Sequence, residues 1–127
     1  MVRGMIIKES LADQHLFGEK FITVVERYSM NMDGKYPVEI VIVDVREDQV
    51  LSLFSVLSAV LLPTKFYAHF VAGDLMYVLY PWTLSIVKRG DEESAQRCIE
   101  IGELFNVPPE QLPISKMFNF GHAEHTE

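Results

Sequence analysis

One cysteine, Cys98, is all the thiol this chain of 127 residues contains. A lone cysteine excludes an internal disulfide framework and a cysteine-based zinc cage within one chain, and it suits a reducing compartment, so a cytoplasmic location is expected. Basic residues are also scarce: 11 Lys and Arg stand against 18 Asp and Glu, for a net charge of −7. Such a field repels phosphate backbones and argues against nucleic acid as a partner. No apolar run approaches the roughly 20 residues that a helix needs to cross a bilayer. The first residues, MVRGMIIKE, hold too short an apolar stretch for a secretory signal. Glycine-rich phosphate loops and the Gly-x-Ser-x-Gly nucleophile motif are missing as well.

What is abundant is apolar side chain. Hydrophobic residues make up 49% of the chain and aromatics 11%, which excludes disorder for its body. Mean hydropathy is slightly positive, +0.13, high for a chain without a spanning segment, and a second copy of the chain would account for the surplus. The length fits a single domain, assigned to residues 1–120, with a flexible tail over 121–127.

Residues 36–89 carry the architectural signal. Tyr36–Val45 (YPVEIVIVDV) is β-branched and nearly unbroken in its hydrophobicity, so it is expected to be a central strand covered on both faces. Lys20–Met30 should precede it as the other arm of a hairpin turning through Asp33-Gly34. From Asp48, read as an N-cap, to Leu62 runs an almost wholly apolar helix that Pro63 stops. Phe66–Val71 and Leu75–Tyr80 form a second hairpin through Ala72-Gly73-Asp74. Pro81 interrupts the extended run, and Trp82–Val87 resumes it with Trp82, Leu84 and Ile86 on one face. A last helix over 91–106 buries Ala95, Cys98, Ile99, Gly102 and Phe105 and ends at Pro108-Pro109. Met5-Ile6-Ile7 suggests a short N-terminal strand, Leu11–Phe17 a brief helix capped by Ser10, and Glu110–Leu112 one further turn. The expected fold is therefore α+β: an antiparallel sheet of about five strands carrying two main helices, in the order ββαβββα.

No catalytic residue can be assigned from this pattern, and no cofactor or metal is expected. His122 and His125, spaced three apart, have metal-ligand spacing, but nothing apolar pins that tail. Asp44, a carboxylate in a Val/Ile run, is matched to Arg46 as a strand-end ion pair. Cys98, on an apolar helix face among acidic neighbours, is an inert packing residue. Two readings of function remain. The favoured one is a non-enzymatic interaction or regulatory module acting as a homodimer. Its contact surface is either the stripe of Ser52, Ser55 and Ser58, which lets another backbone approach, or the edge formed by Tyr80 and Trp82. The alternative is a small-molecule-binding protein or small enzyme with an apolar pocket around His69, Tyr67 and Tyr77.

Overall fold

A run of β-branched residues flanked by turns needs pairing on both sides, and Tyr36–Val45 obtains it. In the computed structural model it is the third strand, β3, held between β2 (Ile22–Met32) and β1 (Val2–Ile7). The structure describes residues 1–119 except 14, 19, 21, 33–35 and 63–65. Ile40, Val41, Val43 and Val45 of β3 are fully buried, as a strand covered on both faces requires. β4 (Ala68–Ala72), β5 (Leu75–Tyr80) and β6 (Thr83–Lys88) follow as a meander. All pairings are antiparallel, and the strand order is β2-β3-β1-β4-β5-β6.

The sixth strand is the N-terminal one. β1 runs from Val2 and lies in the middle of the sheet, joining the first hairpin to the meander. Gly4 breaks its apolar pattern in sequence, and packing explains the glycine. A Cβ built at Gly4 would stand 2.2 Å from two carbons of the Phe70 ring, so only glycine lets that ring lie across β1.

Helix α1 (Val50–Val60) covers one face of the sheet. Leu53, Phe54 and Leu57 pack with Ile6, Val41, Val43, Val45, Phe70 and Leu79 in one core. Phe54 meets both Phe70 and Tyr77 with ring centroids 5.3 Å apart and tilted planes. The opposite face is shared. Helix α2 (Glu92–Leu104) and the short α3 (Ile114–Met117) cover β4–β6, where Cys98, Val107, Leu112 and Met117 pack on Met76, Val78 and Tyr80. Met5, Ile7, Val38, Ile40 and Ile42 form a third cluster.

Several local expectations change. Leu11–Phe17 is no helix: 3-10 turns occupy Lys8–Ser10 and His15–Gly18, and Leu11 bridges Leu61. The Ala12 N–H donates to the Val60 carbonyl at 2.8 Å and the Leu62 N–H to that of Ser10 at 2.8 Å. These bonds hold the segment extended against the end of α1, and they outweigh a weak helical pattern. Ser10 is buried with its hydroxyl donating to the Ile7 carbonyl at 2.5 Å, so it caps nothing. Asp48 does not cap α1 either. It sits in the 3-10 turn Glu47–Gln49, and its carboxylate accepts both arms of Arg46, at 3.1 and 2.5 Å. Arg46 is thereby engaged, and Asp44 takes Arg3 from β1 instead, in a bidentate pair at 2.9 and 3.0 Å. That guanidinium holds the Asp44 carboxyl below its usual range.

α2 follows expectation more closely. Asp91 caps it by accepting from the Glu93 N–H, and Cys98 and Gly102 are buried on its sheet-facing side. A Cβ at Gly102 would come within 2.6 Å of Leu112 Cδ1, so this glycine permits a close approach. The expected hairpin turn at Asp33-Gly34, the stop at Pro63 and the tail with His122 and His125 lie outside the described residues.

Candidate functional site

Register decides which candidate residues can meet. Phe70 pairs with Tyr77 and His69 with Val78, so Tyr77 emerges on the α1 face while His69 and Tyr67 emerge on the other. The trio does not converge. Ring Nε2 of His69, 1% exposed, donates to the Met117 carbonyl at 3.1 Å. The Tyr67 hydroxyl donates to the Gln111 carbonyl at 2.6 Å. Both side chains thus fasten the segment after α2 to the sheet, a structural use of a histidine and a tyrosine.

Tyr80 is likewise interior. It is fully buried, stacks on Phe105 with centroids 5.2 Å apart, and donates to the Cys98 carbonyl at 3.1 Å. Burial pushes its phenol far above the usual tyrosine range and raises the Cys98 thiol too. Neither presents surface to a partner. Tyr80 falls inside because strand alternation puts it on the α2 face with Val78 and Met76, whereas its turn neighbour Trp82 points outward.

Trp82 is the unusual member. Pro81-Trp82 is the two-residue turn between β5 and β6, and Trp82 has a positive φ of 58°. The second central position of such a turn demands the left-handed region, where glycine or asparagine is at home. A tryptophan there costs about 1–2 kcal/mol of backbone strain. The residue is nonetheless 77% exposed, so only a small part of its surface packs within the chain. The backbone is held by a bond from the Trp82 N–H to the Ser58 carbonyl at 3.4 Å. Ser58 is half-buried beside this turn, and Ser52 and Ser55 face outward on α1.

Among the described residues nothing covers the sheet between α1 and β6. A groove of about 550 Å³ opens there, lined by Val50, Leu51 and Phe54 of α1 and by Tyr77, Leu84 and Ile86 of the sheet. Leu51 is 82% exposed, Ile86 51% and Leu84 43%. Helix α1 carries no charge and only three serines, and it is fully buried only at Leu53, Phe54 and Leu57, so its flank becomes one wall. Glu47 and Tyr77 bring the groove's titratable side chains. Among the described residues no histidine, cysteine or pair of carboxylates lines it, so it is equipped to bury apolar surface rather than to move protons. Nor do the described residues hold a group of three His, Cys, Asp or Glu able to grip a metal ion.

The two sheet edges differ. β2 carries Glu26 and Arg27, is bulged between Val24 and Glu26, and its Arg27 is engaged by Glu39 at 2.6 Å. Those are the devices that discourage strand pairing. β6 pairs with β5 without a register shift, contains no proline, and reaches a charge only at Lys88.

Sequence reasoning picked out Trp82 but passed over Leu51, Leu84 and Ile86. The available signal was the absence of any charged residue on α1 together with the alternation of Leu84 and Ile86. No helix among the described residues is long and apolar enough to cross a membrane. No family model, no curated protein and no solved structure matches this chain.

Proposed function

We propose that the protein is a non-enzymatic interaction module that works as a homodimer in the cytoplasm, with the groove beside α1 and the Trp82 turn as its contact surface. The observation that carries this reading is the alignment of Leu51, Leu84 and Ile86 along one open groove. Large exposed apolar patches mark places where another surface docks. An exposed tryptophan in a strained backbone is the second support, since tryptophan dominates binding energy where it is buried between partners. The serines contribute little by themselves. Ser52 and Ser55 would lie at the rim, where they tolerate close approach without supplying affinity.

Replacing Leu51 with Lys tests the reading. The side chain is largely exposed, so folding should be unaffected and the far-ultraviolet dichroism unchanged. Sedimentation velocity should give a dimer for the natural chain and a monomer for Leu51→Lys. An unaltered dimer in the variant would remove this groove from the contact surface.

One observation favours a second reading, a small apolar ligand in the same groove. Its volume falls within the roughly 300–1,000 Å³ typical of small-molecule sites, and Phe54 and Tyr77 supply aromatic walls. In that case an added organic mass would accompany the chain in native mass spectrometry.

A further inference from the structure

We infer that the second copy joins through β6, the two β6 strands pairing antiparallel across a two-fold axis to make one continuous sheet. This deepens the homodimer reading and rests on it. The backbone is already arranged for such pairing. Tyr80 and Thr83 flank a two-residue turn, so they exchange hydrogen bonds with each other, and alternation then directs Ser85 and Val87 toward β5. The N–H and C=O groups of Leu84, Ile86 and Lys88 consequently point away from the sheet. Lys88 displays this sense directly, because its N–H donates outward to Ser94 Oγ at 3.1 Å. Leu84 and Ile86 have no such cap among the described residues.

Charge selects the occupant. Residues 75–90 contain no Asp or Glu and include Lys88 and Arg89, although the chain as a whole carries −7. This hairpin is where two acidic copies can meet without opposing like charges. A register with Leu84 opposite Ile86 of the second copy is self-complementary, as a two-fold contact must be. It satisfies the outward groups of both residues, sets apolar against apolar on the α1 face, and brings Lys88 beside the exposed indole of the other Trp82. The area is adequate in scale: Leu51, Trp82, Leu84 and Ile86 together expose on the order of 500 Å², against about 800 Å² per partner in a standard interface. The remainder comes from the strand backbone and the groove rim. Because the copies repel overall, added salt should tighten the dimer.

Amide hydrogen exchange on the natural chain, followed residue by residue over a dilution series, tests the assignment. The Leu84 and Ile86 amides should exchange at least tenfold more slowly above the dimer midpoint than below it. Ile86→Pro removes an N–H that β5 does not use and should abolish the dimer while keeping the fold. A dimer whose Leu84 and Ile86 amides exchange fast at every concentration overturns β6 pairing and leaves the homodimer reading standing. A chain that stays monomeric overturns both.

Discussion

Trp82→Gly separates binding from folding. The wild-type residue sits at φ 58°, and glycine relieves about 1–2 kcal/mol of left-handed strain. Against that gain, glycine's extra freedom in the unfolded chain costs about 0.4–1 kcal/mol. With 77% of the residue in solvent, only some 60 Å² of its surface is buried, and losing that costs about 1.5 kcal/mol. The three contributions largely offset one another, so monomer stability should fall by no more than about 1.5 kcal/mol, whereas truncating a core tryptophan costs about 3–5 kcal/mol. Association should respond very differently. An aromatic that becomes buried between partners contributes about 2 kcal/mol or more, which corresponds to a dimer constant at least roughly 30-fold weaker. Urea denaturation at high dilution reads the first quantity, and sedimentation equilibrium reads the second. A stability loss of several kcal/mol would refute the view that strain and exposure describe this residue. An unchanged dimer constant would refute its place at the interface.

Three other outcomes follow from the packing and the electrostatics. Gly4→Ala forces a methyl into the Phe70 ring and should destabilise the fold by about 3 kcal/mol or more in urea; the added Phe70→Leu change should recover part of that loss. The Asp44 carboxyl, held low by Arg3, contributes stability that is fully present above the unfolded pKa of about 4 and is lost as pH falls through the lower folded value. Since Arg3 is about half exposed, Asp44→Asn should flatten the acid limb of the pH–stability curve by no more than about 1 kcal/mol. Cys98, buried and raised in pKa, should react with a disulfide reagent only as fast as the protein opens, and denaturant should release it.

The elements legible in the sequence were those with strong periodicity. β3 was recovered to the residue, and the meander and α2 within a few positions, because β-branched runs, turn glycines and the Asp91 cap act locally. What escaped depended on distant partners. β1 was shortened because Gly4 reads as a break until Phe70 is placed across it. Ser10 and Leu11 read as a helix start until α1 arrives to bond that segment. Asp44 could be matched to a neighbouring arginine, but not to one 41 residues away on the adjacent strand.

The candidate surface was harder to see for a related reason. Hydrophobicity marks what can be buried, yet which apolar residues stay exposed depends on how far one helix reaches across a six-stranded sheet. α1 covers the middle of its face and stops short of β6. The composition therefore registered surplus apolar surface without locating it. Tyr80 and Trp82, two residues apart in sequence, ended on opposite sides of the solvent boundary through the geometry of a single turn.

Native mass spectrometry of the untagged chain over a concentration series tests the central claim most directly. The account predicts a species at twice the 14.6 kDa chain mass, growing with concentration and carrying no added mass. A single chain at every concentration up to the millimolar range, where even weak pairs form, would contradict it.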